Sequence, residues 1–203
     1  MNVIDSVYKY IDSQPSSEAF IVSDFIDLGN YETIKKSLIR LEKKRILRRV
    51  LRGVYDKPTY SEIIQEYSAP SPSKVALALA RNFNWNIIPS GEVSLNLLGI
   101  STQVPTKFIY NSSGPYKSYN MGNITIEFKH KSMKVIAGKS YMSALVIQAL
   151  KALGKDSINA SIIRNIRNRL SEDDKFKLLE EGKQAPIWMY PYLKRICQGK
   201  NDV

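Results

Sequence analysis

The sequence predicts an α+β fold: an N-terminal winged helix-turn-helix followed by a mixed α+β C-terminal domain with a small sheet and a helical C-terminal part. Three observations lead there. Helical apolar periodicity recurs on either side of a Gly-Asn turn within the first 44 residues. A β-favouring basic run punctuated by Gly53 follows it. Beyond a proline-rich break, alternating apolar segments give way to helical stripes.

Val3, Ile4, Val7, Tyr8 and Ile11 recur at helical spacing, which predicts a first helix over 2–13. Pro15 ends it, since proline restricts the preceding residue and cannot continue the hydrogen-bond ladder. Phe20-Ile21-Val22 reads as a small strand, and Ser23 as the cap of a short helix over 24–28. Gly29-Asn30 tolerates the left-handed turn that re-aims the chain. A third helix is expected over 31–44, burying Ile34, Leu38 and Leu41 with help from Tyr31. Thr33, Lys35, Lys36, Ser37, Arg40, Lys43 and Lys44 are expected on its remaining surface.

Ile46 to Tyr55 is too short for another helix and predicts a two-stranded wing turning near Leu51 to Gly53. Tyr60 to Tyr67 reads as a short linking helix, and Ser68 to Ser73 as a domain boundary, dividing 1–67 from 71–203. In the second part, Pro72 to Phe83 predicts a helix with Val75, Leu79 and Phe83 inward and Ser73 near its cap. A strand-like run over 85–89 and a buried helix over 91–99 follow. Strands are expected over 105–111 and 123–130, separated by a turn at 111–115, with a further one over 135–137. Helices are expected over 140–154, 158–170 and 172–181, and the Trp188 to Tyr192 tail completes the core.

The chain carries a net charge of +11, and its distribution matters more than its total. Residues 33–57 hold ten basic side chains against Glu42 and Asp56, a net +8. Residues 1–32 hold Lys9 against six acids, a net −5. Such polarity differs from a solvated helix face, which mixes signs, and it points to an anionic partner. A helix fits the major groove while wing arginines meet flanking phosphates. The candidate DNA-binding residues are therefore Thr33, Lys35, Lys36, Arg40, Lys43, Lys44, Arg48, Arg49 and Arg52. Arg164, Arg167 and Arg169, outward on a later helix, are candidates for contact with phosphate or an acidic partner.

Other chemistry finds little support. His130 is the single histidine, which excludes paired-histidine metal sites and leaves little for Ser-His catalysis. Cys197 is the single cysteine, so no thiolate cluster and no intramolecular disulfide form, in keeping with a reducing compartment. Asp173-Asp174 suits a helix start better than a metal site. No phosphate-cradling glycine loop, signal peptide or membrane-spanning run is evident. The expectation is a soluble, cytoplasmic protein with no catalytic residue, metal or cofactor. Tyr110, Tyr116 and Tyr119, with Lys107 and Lys117, read either as the rim of a modest core or as a base-stacking surface.

The segment Ser23-Asp24-Phe25, the run Tyr31 to Leu41, the basic strand Ile46 to Val50 and Arg52-Gly53-Val54-Tyr55 together resemble the AbiEi-type antitoxins of type IV toxin–antitoxin, or abortive-infection, systems. The resemblance is sharpest over residues 1–60 and is one of layout and length beyond residue 70. It implies an autorepressor that binds an inverted-repeat operator in double-stranded DNA, partnered by a nucleotidyltransferase-like toxin. Two further readings stand beside it: a winged-helix protein-interaction adaptor or regulator unconnected to a toxin, and an RNA-binding accessory protein using the tyrosine–lysine surface.

Overall fold

The computed structural model describes residues 2–132 and 138–199. The chain is α+β and divides into two compact units, Met1–Trp85 and Asn86–Val203. The strand expected over 135–137 lies outside the described residues.

In the first unit, α1 (Val3–Ser13) is followed by β1 (Ala19–Phe20), a 3-10 helix (Val22–Leu28) and α2 (Tyr31–Lys43). The 3-10 helix starts two residues before the helix expected there. Asp24 rather than Ser23 secures its start, accepting the Ile21 N–H at 2.9 Å. Gly29 is extended (φ 164°), so the turn into α2 is not left-handed as expected. Glycine is favoured there by packing, because an added Cβ would sit 3.2 Å from the Val3 side chain. Asn30 caps α2 instead, its Oδ1 accepting the Thr33 N–H at 3.0 Å.

The apolar stripes of these helices meet in one core: Val7 and Ile11 from α1, Phe20 and Phe25, then Ile34, Leu38 and Leu41 from α2. Tyr31, expected to help, stays exposed, while Ser37, expected outside, is buried. Its hydroxyl is satisfied by donating to the Thr33 carbonyl at 2.8 Å.

Next come β2 (Arg48–Leu51) and β3 (Val54–Asp56), joined by the two-residue turn Arg52-Gly53 with Gly53 at φ 79°. The three strands form an antiparallel sheet in the order β1-β3-β2, with Arg48 opposite Asp56 and Arg49 opposite Tyr55.

The segment expected as a linking helix is a second hairpin, β4 (Tyr60–Ser61) with β5 (Glu66–Tyr67). Tyr60, Ile63, Ile64 and Tyr67 do have helical spacing. However, eight residues sustain a helix only when packing covers the apolar stripe, and all four are exposed. The chain reverses through Gln65 in the left-handed region (φ 52°).

Helix α3 (Pro72–Phe83) begins with proline in its first turn, after Ser71 rather than Ser73. It belongs to the first unit, so the proline-rich stretch is a turn within that unit and the division falls after Trp85. Side chains explain this. Lys74 pairs with Glu18 at 2.7 Å, and Arg81 grips Asp24 at 2.9 and 3.0 Å while donating to the Ala19 carbonyl. Phe83 does not point inward as expected but lies half-exposed, stacked on Trp85.

The second unit holds a four-stranded sheet, β6 (Ile87–Pro89), β7 (Lys107–Ser112), β8 (Lys117–Met121) and β9 (Ile124–His130), in the order β6-β7-β9-β8. The pairs β6–β7 and β8–β9 are antiparallel, and β7–β9 is parallel. Strand β8 escaped the sequence reading because its run Lys-Ser-Tyr-Asn-Met lacks a clear apolar alternation. Helices α4 (Gly91–Leu97), α5 (Tyr141–Leu153), α6 (Ala160–Asn168), α7 (Glu172–Glu181) and α8 (Tyr190–Gln198) surround a core that includes Leu145, Leu150, Ile163, Ile166, Leu178 and Leu193. Asp174 completes a capping box with Ser171 at the start of α7.

Two stability outcomes follow from close packing. At Gly91 an added Cβ would lie 2.5 Å from the Cβ of Ala152 on α5, so Gly91→Ala should destabilise the chain by about 1–3 kcal/mol in urea unfolding. Burial pushes the Tyr141 hydroxyl up to about 12 and Tyr110 well above its ordinary value of 10.0. The unfolded phenols lose their protons first, so stability is full below pH 10 and falls as pH rises through the folded values. Spectrophotometric tyrosine titration alongside unfolding curves above pH 10 should give late-titrating tyrosines and declining stability together.

Candidate nucleic-acid interface

The exposed face of α2 is built by default. With Ile34, Leu38 and Leu41 fixed in the core, 3.6-residue geometry turns Lys36, Arg40 and Lys43 to the opposite side. All three are exposed, as is Lys44 at the helix end. None makes a hydrogen bond or ion pair through its side chain among the described residues. Arg45 follows in a left-handed conformation (φ 59°), a hydrogen bond from its N–H to the Glu42 carbonyl closing the turn at 2.8 Å. Its exposed side chain adds a cation that the sequence reading did not single out. Lys35 is the most engaged of the helix cations, 3.9 Å from Glu32 and 5.7 Å from the Tyr31 ring centre. Thr33 is half-buried, and its backbone serves the Asn30 cap and the Ser37 hydroxyl.

The three hairpin arginines divide. Asp56 is 1% exposed, and Arg48 lies directly across the ladder from it. Arg48 Nε donates to Asp56 Oδ1 at 3.0 Å, Nη2 donates to Oδ2, and Nη1 reaches the Ser68 carbonyl at 2.9 Å. Its guanidinium is therefore committed inside the fold, contrary to the expectation that it lies free in the wing. A buried carboxylate demands such a partner, and the bidentate fork supplies it. Arg49 alternates to the outer side, and Arg52 occupies the turn; both are exposed and form no ion pair among the described residues. Arg49 also acts on Tyr55, whose phenol is raised chiefly by burial, then by Glu42, with Arg49 opposing.

Four of the six acids of residues 1–32 form ion pairs among the described residues, Glu32 with Lys35 and three others with cations elsewhere in the unit. Glu18 is held by Lys74, Asp24 by Arg81, and Asp12 by Lys57 at 3.5 Å. Of the ten cations in 33–57, Arg48 and Lys57 are thus tied inward. The other eight, Lys35, Lys36, Arg40, Lys43, Lys44, Arg45, Arg49 and Arg52, remain on the exterior of α2, the following turn and the β2–β3 hairpin.

A cleft of about 380 Å³ lies at this corner, lined by Leu47, Pro58 and Tyr67 together with Glu42, Arg45, Arg48 and Arg49.

The second unit's candidates fare differently. Arg167, expected to face outward, donates from Nε to the Ile196 carbonyl at 3.1 Å and from Nη2 to the Arg195 carbonyl, closing the last turn of α8. Arg169 is exposed but hydrogen-bonded to Asn165 at 3.1 Å, and Arg164 is exposed. Of the three tyrosines weighed for base stacking, Tyr110 is buried in the core and Tyr119 packs edge-to-face on Phe128. Tyr116 alone of the three is open to solvent. Among the described residues no group of three His, Cys, Asp or Glu side chains is placed to hold a metal ion. No helix there is long and apolar enough to cross a membrane.

A family model of unknown function, DUF6088, matches residues 6–178. The chain belongs to the DUF6088 family. The match takes in most of both units. No curated protein matches the chain at a significant level. Among solved structures, the Rv2827c protein from Mycobacterium tuberculosis is similar over 97% of this chain and 75% of that one, at 10% identity and a TM-score of 0.39.

The divided arginines make a direct test. Arg48→Ala strands the buried Asp56 carboxylate and should cost about 3 kcal/mol, the low end for a buried pair because Arg48 is a third exposed. Arg52→Ala should move stability by no more than about 0.5 kcal/mol. Parallel urea titrations of the two variants read the difference.

Proposed function

We propose that the first unit is a winged helix-turn-helix that binds double-stranded DNA, with α2 in the major groove and the β2–β3 hairpin as the wing. The observation that carries this reading is the set of seven outward cations, Lys36, Arg40, Lys43, Lys44, Arg45, Arg49 and Arg52, left over once every acid of residues 1–32 with an ion partner inside the unit has been matched, Glu32 with Lys35 included. A fold that needed those cations for itself would pair them. Left unpaired, they are suited to releasing counterions from a phosphate backbone. Lys36, Arg40 and Lys43 are then the side chains aimed at base edges, and Arg49 and Arg52 those that meet phosphates.

The resemblance to AbiEi-type antitoxins extends the reading to a whole protein. On that basis the chain is a cytoplasmic, non-enzymatic autorepressor of an operon that also encodes a nucleotidyltransferase-like toxin, with the second unit carrying the antitoxic role. Arg164 and Arg169 remain its candidates for meeting an acidic surface.

Band shifts on the DNA upstream of the chain's own gene test the proposal. Replacing Lys36 or Arg40 with alanine should relax discrimination between the upstream site and scrambled DNA by roughly 1–3 kcal/mol if the residue reads a base. Replacing Arg49 and Arg52 should weaken both DNAs alike. Binding that is unaffected by either set overturns the assignment. A protein that binds no DNA, yet retains an acidic protein through the same face, establishes the adaptor instead.

A further inference from the structure

The hairpin between β3 and α3 has no role in the DNA-binding reading, yet it is built with care. Tyr60 and Tyr67 pair across the ladder with ring centres 5.2 Å apart. Below them the Ser68 N–H donates to the Thr59 carbonyl at 2.8 Å, and the Thr59 N–H to the Ser68 hydroxyl at 3.1 Å. Arg48 anchors the base through the Ser68 carbonyl. The turn so braced presents Ile63 and Ile64 at 95% and 63% exposure. Glu62 and Glu66 flank them, and neither carboxylate forms an ion pair among the described residues. Two-stranded hairpins are marginal on their own, and adjacent isoleucines in water add nothing to this one.

We propose that this hairpin is a self-association arm, whose tip docks into the cleft at 42–49, Pro58 and Tyr67 of a second copy of the chain. The cleft offers what the tip lacks. Leu47, Pro58 and Tyr67 supply apolar lining for the isoleucines, and Arg45 supplies a cation for the glutamates. Arg48 is neutralised by Asp56, and Glu42 offsets one of the remaining two, so the cleft stays positive. Arm and cleft lie on the same unit, so a two-fold exchange uses both from each copy and closes without leaving a free end. Charge selects this occupant. Two chains of +11 repel in general, and an acidic tip in a cationic cleft is the local exception. Glu62 and Glu66 would face phosphates if the tip entered a DNA groove. Because the hairpin is already braced, little ordering opposes association.

Sedimentation equilibrium of the full chain without DNA reads the outcome. The wild type should show twice the chain mass of 23.1 kDa. Ile63→Asp with Ile64→Asp, at positions too exposed to disturb folding, should give the monomer mass with an unchanged circular dichroism spectrum. Glu62→Arg with Glu66→Arg should weaken the dimer by about tenfold or more, and adding Arg45→Glu should restore a substantial part of it. A monomeric wild type overturns the proposal. So does a dimer indifferent to the tip substitutions, or a monomer whose tip variants lose only DNA affinity, which would place the arm in a groove.

Discussion

Asp56 sits in the middle of the first unit's small sheet with almost no access to water, and its charge has to be answered from within. The antiparallel register puts Arg48 directly opposite, and the guanidinium answers with two hydrogen bonds. That single commitment has three consequences. It fixes the register of the β2–β3 hairpin, because a one-residue slip would bring Arg49 inward and leave Arg48 outside. It turns Arg49 to the outer surface by strand alternation. And the remaining donor of Arg48 pins Ser68, so the second hairpin and the turn into α3 start from a defined point.

A second constraint sorts the other charges. Asp12, Glu18 and Asp24 are matched by Lys57, Lys74 and Arg81, the last two on α3. What remains on α2 is a stripe of like charges. Lys36 and Arg40, four apart, and Arg40 and Lys44, four apart, repel by a few tenths of a kcal/mol per pair in an isolated helix. Cations near the helix C-terminus recover part of that through the helix dipole. A face that costs stability and performs no internal task is what a binding surface looks like before its ligand arrives.

Much of this was legible in the sequence, wherever periodicity or turn chemistry spoke locally. The spacing of Ile34, Leu38 and Leu41 placed the outward cations, and Gly53 placed the hairpin turn. Asp173-Asp174 marked a helix start. What was not legible depended on partners distant in sequence. Nothing near Asp24 announces Arg81, 57 residues away, yet that pair holds α3 in the first unit and moves the division past the proline-rich stretch. Arg48 looked like its neighbours Arg49 and Arg52 until register paired it with Asp56. Arg167 looked outward until α8 brought its last carbonyls within reach. The run from Tyr60 to Tyr67 carried a helical pattern that no neighbouring surface covers, and the hairpin formed instead.

The central claim is that the first unit's unpaired cations exist for a polyanion. Its most direct test is the affinity of the full chain for a duplex from its own upstream region, measured across a series of salt concentrations. With seven unpaired outward cations, of which several meet phosphates, log K should fall against log salt with a slope of about −4 to −6. Arg49→Ala and Arg52→Ala combined, at the side chains assigned to phosphates, should make it shallower by about 2. A slope near zero, or one that the double variant leaves unchanged, would contradict the account.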